Sequence, residues 1–150
     1  MKSNFLDECK ITRVMNAVTA GTSTQSSDRV DMTGYDSVCF VALLGDVTDT
    51  SVLELKVQQN TADHASSQTP TEITDDDVTA TATATSADNK VLAMAIHNAN
   101  PAAGKWLFAQ ILRGTANAVI DGVIAIQYNA RNTPVTQAAS VLASDFRFVK

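Results

Sequence analysis

Aromatic residues make up only 5% of the 150-residue chain and charged residues only 18%. There are two histidines, two cysteines, one tryptophan and three prolines. Each scarcity narrows the function. Sugar clefts are walled with aromatic rings, so a glycoside-hydrolase reading is weak, although paired carboxylates are a spatial feature that spacing does not reveal. His64 and His97 are far apart, and no His-x-His, HExxH or CxxC occurs, so a metal-dependent jelly-roll enzyme would lack its ligands. There is no GxSxG elbow, phosphate-binding loop or dinucleotide glycine motif; the six glycines fall singly in turns. No catalytic, cofactor-binding or metal-binding residue is assigned, no cofactor is expected, and the chain reads as a non-enzyme. Positive charge is also scarce, with 11 Lys and Arg against 16 Asp and Glu and a net charge of −5. A nucleic-acid surface needs clustered cations to displace phosphate counterions, and an anionic membrane face needs the same sign. Neither partner is expected. No run reaches the ~20 apolar residues of a membrane span. The start, MKSNFLDECK, lacks the apolar centre of a signal peptide, which predicts folding in the cytoplasm of the producing cell.

What is abundant is β-forming. Hydrophobic residues are 45% of the chain, with many Thr, Ser, Ala and Val, enough for a sizeable core in one domain. The densest stretch is Lys105–Arg131, with apolar runs Trp106–Leu112 and Val119–Tyr128 joined by Gly114–Asn117. These runs are expected to be adjacent antiparallel strands at the middle of a β-sandwich. Asp121–Gly122 interrupts the second run, either as a hairpin turn or as a bulge; the bulge is preferred because Gly114–Asn117 already supplies a turn. Further strands are expected at Ile11–Val18, Arg29–Met32, Ser37–Leu44, Ser51–Gln59, Lys90–Ile96 and Val141–Val149. In Ser51–Gln59, Leu53, Leu55 and Val57 alternate with Glu54, Lys56 and Gln58, giving one dry and one wet face. The alternating Thr and Ala of Val78–Thr85 suits a sheet edge or a close subunit contact.

Connections are expected at Thr19–Ser27, Thr33–Asp36 around Gly34, Gly45–Thr50, Ala87–Asn89 and Asn98–Gly104. The longest loop is Asn60–Asp77, with at most a short strand or helical turn near Thr71–Thr74. The expected fold is all-β: a two-sheet antiparallel sandwich, jelly-roll-like, of about eight strands with little helix. It occupies residues 1–150 as a single domain, with extended N-terminal (1–10) and C-terminal (130–150) segments.

Four features could carry chemistry, and each has a plainer reading. Asp75–Asp77 could hold Ca²⁺ but lacks the one-residue ligand spacing and trailing Glu of an EF-hand loop, so it reads as a solvated acidic loop. His64 and His97 read as solvated side chains. Cys39, inside an apolar run, reads as a small buried hydrophobe; a Cys9–Cys39 disulfide is conceivable but needs geometry. Trp106 reads as core rather than as a sugar platform.

The run DGVIAIQYNARNTPVTQ (Asp121–Gln137), preceded by RGTANAV (Arg113–Val119), resembles small structural proteins of tailed bacteriophages. So do TQSSDRVDMTGYDSVCFVALLG (Thr24–Gly45) and ADNKVLAMAI (Ala87–Ile96). The resemblance is to head decoration, or cement, proteins, and it covers most of the chain. It implies a β-sandwich subunit, a homo-oligomer with a trimer favoured, and binding to the major capsid protein lattice on the exterior of the expanded head. It implies synthesis in the host bacterial cytoplasm and residence in the virion. It assigns no functional site to particular residues. A carbohydrate- or receptor-binding head-fibre or tail module is the alternative, and a terminal strand reaching a neighbouring subunit is expected to help assembly.

Overall fold

The computed structural model describes residues 4–61, 71–72, 78–81, 83, 86–97 and 104–144. Its elements are α1 (Phe5–Glu8), β1 (Lys10–Met15), β2 (Val18–Gly21), β3 (Gln25–Ser26), β4 (Val30–Asp31), β5 (Tyr35–Val47), β6 (Val52–Asn60), β7 (Thr71–Glu72), β8 (Val78–Thr81), β9 (Val91–His97), β10 (Trp106–Gly114) and β11 (Ala118–Ala130). Of the eleven strands among the described residues, β3, β4 and β7 are two residues long, which leaves eight of four residues or more. Every pairing is antiparallel. One sheet runs β1-β11-β5-β9 with β2 beside β11; the other runs β3-β10-β6-β7 with β4 beside β10 and β8 beside β6. This is a two-sheet antiparallel sandwich, jelly-roll-like, as the composition implied.

The dense runs became the central strands because each buries a full set of aliphatic side chains between the sheets. Val38, Phe40 and Ala42 of β5 and Leu53, Leu55 and Val57 of β6 are at most 1% exposed. Each fully buried Leu or Phe contributes roughly 1.5–3 kcal/mol by leaving water. The bulge expected at Gly122 is present: the β11–β5 register shifts between Ile120 and Gly122. Gly122 has φ +152°, and a side chain there would press on the Met15 carbonyl, its Cβ 3.1 Å from that oxygen.

Several expectations are corrected. β10 and β11 are not neighbours in one sheet; they lie in opposite sheets, and Gly114–Asn117 turns the chain from one layer to the other. Gly114 pairs with Val52, whereas Ala118 pairs with Val47 and Gly21. Arg113, 4% exposed, locks this corner on neutral oxygens. Its Nη1 donates to the carbonyls of Thr19 (2.9 Å) and Ala118 (2.7 Å), and its Nε to that of Ser23 (2.8 Å). Burial lowers the Arg113 pKa from its ordinary value. Thr19–Ser27 is not wholly loop, since it contains most of β2 and all of β3. β5 continues through Gly45 to Val47, shortening the connection expected at Gly45–Thr50.

The N-terminal segment is not extended throughout: Phe5–Glu8 forms one helical turn, with Asn4 Oδ1 accepting from the Leu6 N–H at 3.1 Å. β11 continues to Ala130, and residues 131–144 contain no strand. The rest of the terminal strand expected at Val141–Val149 lies outside the described residues. So do residues 62–70 and 73–77 of the long loop, with His64 and Asp75–Asp77, and residues 98–103. Thr71–Glu72 is a short strand, and Val78–Thr81 pairs only with β6 among the described residues, an edge position as its composition suggested.

Candidate functional site

β5, β9 and β11 are apolar at almost every position, so burying one side of their sheet leaves the other side apolar as well. Register sets the outer side in rows. Val41 lies between Ile124 and Ala93, and Cys39 between Ile126 and Ala95. Leu43 lies between Gly122 and Val91 in the next row. Val91 is 57% exposed and Leu43 36%. Alternation along β9 is complete: Leu92, Met94 and Ile96 are buried while Val91, Ala93, Ala95 and His97 are exposed. Arg13 and Asp121 are the charged side chains that line the groove on this side of the sheet.

Beside it runs a groove of about 380 Å³, floored by Ile11, Leu43 and Ile124 and closed on its far side by Ser140 and Val141 of the C-terminal segment. That segment is bound along the free edge of β1. Gln137 Oε1 accepts from the Ile11 N–H (2.9 Å), and Gln137 Nε2 donates to the carbonyls of Leu6 (2.8 Å) and Cys9 (2.6 Å). Ser140 Oγ accepts from the Arg13 N–H at 3.0 Å. Side chains thus take over hydrogen bonds that a neighbouring strand would make, which blunts this edge.

One end of the surface is polar. Ser37 Oγ lies 2.9 Å from His97 Nδ1, Asn129 Nδ2 donates to Ser37 Oγ at 3.1 Å, and the His97 and Tyr128 rings meet edge to face. His97 is therefore held by partners rather than merely solvated. Ser37 has 0% exposure, so its hydroxyl offers no approach to a substrate carbonyl, and the cluster acts as a clamp between β5, β9 and β11.

Cys39 is half-buried and faces this outer surface rather than the core; burial raises its thiol pKa. Cys9 is buried, its pKa raised by burial and then by Glu8, and both cysteines are free thiols. Trp106 is half-buried rather than core, and the Lys105 ammonium lies 5.0 Å above its ring. Lys105 also pairs with Asp31 at 3.1 Å. Burial pushes the Asp31 carboxyl up, but hydrogen bonds from Thr33 and the Lys105 ammonium outweigh it, leaving its pKa below the ordinary value. Among the described residues no group of three His, Cys, Asp or Glu could hold a metal ion. The apolar surface and the His97 cluster were not singled out as sites from sequence. A signal for the surface was present, in runs apolar at both parities; the cluster joins residues 60 and 31 positions apart and had none.

No family model and no curated protein matches the chain. A solved structure similar to it is the Eiger TNF from S. frugiperda, 7% identical, covering 87% of this chain and 99% of that chain with a TM-score of 0.38. A likeness at that level carries no argument about what this chain does.

Proposed function

We propose that this chain is a non-enzymatic structural virion protein, a decoration or cement subunit that binds the outer surface of an expanded phage head and stabilises it. The observation that carries the reading is the apolar outer side of the β1-β11-β5-β9 sheet, with Val91 57% and Leu43 36% exposed. An apolar sheet face suits a protein partner better than a polar small molecule. The resemblance of Asp121–Gln137 and Thr24–Gly45 to decoration proteins supplies the kind of partner, the major capsid protein lattice, and the oligomer it implies is a trimer. Repetition on a lattice multiplies a modest affinity per site through avidity. A carbohydrate- or receptor-binding head-fibre or tail module is the alternative. It has less support, because Lys105 occupies a face of the half-buried Trp106 ring.

The test is co-sedimentation of the full chain with expanded capsids of the phage that encodes it, prepared without it. Saturation at a fixed ratio to the major capsid protein, with a raised temperature of capsid disruption, is the expected result. Absence of binding, or binding confined to a vertex or tail, contradicts the proposal. Saturable binding on a glycan array would then favour the alternative.

A further inference from the structure

The two edges of the β1-β11-β5-β9 sheet are finished differently. At β1 the C-terminal segment takes up the outward amides of Ile11 and Arg13 through Gln137 and Ser140. At β9 no strand pairs with the outer edge among the described residues. The phase of the β5–β9 ladder shows which main-chain groups lie on that edge. The Leu44 N–H donates to the Lys90 carbonyl at 2.9 Å, and bonded and non-bonded pairs alternate in an antiparallel ladder. Leu92, Met94 and Ile96 therefore turn their amides and carbonyls toward β5, while Val91, Ala93, Ala95 and His97 turn theirs outward. β9 contains no proline and no Lys, Arg, Asp or Glu, and its register with β5 is unbroken from Ser37–His97 to Leu43–Val91. It thus has none of the proline, charge or bulge devices that keep an edge from pairing.

Its sequence also reads almost the same in both directions: Leu92-Ala93-Met94-Ala95-Ile96 is nearly symmetric about Met94. We propose that β9 pairs antiparallel with β9 of a second copy of this chain, across a two-fold axis at Met94, joining the two sheets into one. In that register Ala93 faces Ala95, Val91 faces His97 and Met94 faces itself. Each outward amide or carbonyl meets another outward one, and Leu92 comes opposite an isoleucine of nearly equal volume. A slip of one residue would set outward groups against groups already bonded to β5. The choice of a second copy rests on this symmetry; each copy carries −5, which opposes association, and the contacting strand adds no carboxylate to that repulsion. A two-fold contact is self-complementary, which a near-palindromic strand satisfies by construction. The inference goes beyond the capsid reading and departs from the trimer that the resemblance implies.

The test is sedimentation equilibrium of the full chain on dilution from about 100 μM, a range suited to a small interface, together with amide hydrogen exchange. A dimer is expected, with the amides of Ala93 and Ala95 protected in it and exposed in the monomer. Ala95→Pro deletes an outward donor and leaves the β5 ladder intact. Two hydrogen bonds are lost across the two-fold, so association should weaken roughly thirtyfold. Ala93→Glu, at an exposed position, gives a second variant that should weaken the dimer through like charge should Ala95→Pro fail to fold. A monomer at every concentration, a trimer, or a dimer unchanged in both a folded Ala95→Pro and Ala93→Glu would overturn the inference.

Discussion

The two sheets share one core but finish their outer sides differently, the second mixing charged and polar side chains with apolar ones such as Val52, 36% exposed. On the β3-β10-β6-β7 sheet, β6 carries Glu54, Lys56 and Gln58 outward, with a Glu54–Lys56 ion pair at 2.7 Å and a Gln58–Gln110 hydrogen bond at 3.3 Å. Of its outer aromatics, Trp106 lies under the Lys105 ammonium, and Phe108, only 4% exposed, lies 4.9 Å beneath the Arg29 guanidinium. On the β1-β11-β5-β9 sheet the corresponding positions are Val41, Leu43, Val91 and Ile124, with Val91 more than half exposed. Buried faces alone require one apolar side per strand, and the second apolar side goes beyond that requirement. On the function proposed above, this second apolar side is where the partner docks.

Substitutions can break or sharpen this contrast, and the largest effect is expected in the shared core. Leu55→Ala, at a side chain with 0% exposure, should cost about 2–5 kcal/mol in denaturant unfolding, while Lys56→Ala beside it should cost under ~0.5 kcal/mol. Equal costs would show that β6 does not separate its faces. Gly122→Ala comes next, at roughly 1–3 kcal/mol, because it strains a φ of +152° and crowds the Met15 carbonyl at the bulge. A neutral result would mean that the bulge relaxes freely. Gln137→Ala should cost about 1 kcal/mol and speed exchange of the Ile11 amide, which loses its acceptor. If that amide stays protected, the C-terminal segment does not cover the β1 edge. The smallest effect is expected on the apolar outer side, where Leu43→Thr combined with Val91→Thr should move stability by less than ~0.5 kcal/mol. A loss above 2 kcal/mol would make this surface part of the fold rather than a place for a partner.

How much of this was legible in the chain depended on local contrast. Ser51–Gln59 announced both its strand and its faces, because charged and aliphatic residues alternate there. Ser37–Leu44, Lys90–Ile96 and Val119–Tyr128 announced strands but not faces: with apolar residues at both parities the pattern has no phase. That is why Cys39 read as core and instead lies on the outer surface. The Gly114–Asn117 connection read as a turn between paired strands, but the same residues serve a corner between sheets, and the deciding contacts are distant. Arg113 reaches Thr19 and Ser23, 94 and 90 positions away. Most of β2 and all of β3 were hidden in TAGTSTQSS because short strands laid against an existing sheet need no apolar run. The clamp of Ser37, His97, Tyr128 and Asn129 is made only by tertiary pairing, so nothing local marks it.

The most direct measurement is capsid co-sedimentation of two variants of the full chain, each changed on one outer side. Leu43→Lys with Val91→Lys alters the apolar side, and Gln58→Lys with Gln110→Lys alters the polar side by the same added charge. Loss of binding by tenfold or more, about 1.4 kcal/mol, is expected for the first pair, with the second binding like the unmodified chain. Equal binding by both, or loss only in the second, would contradict the assignment of the apolar sheet as the docking surface.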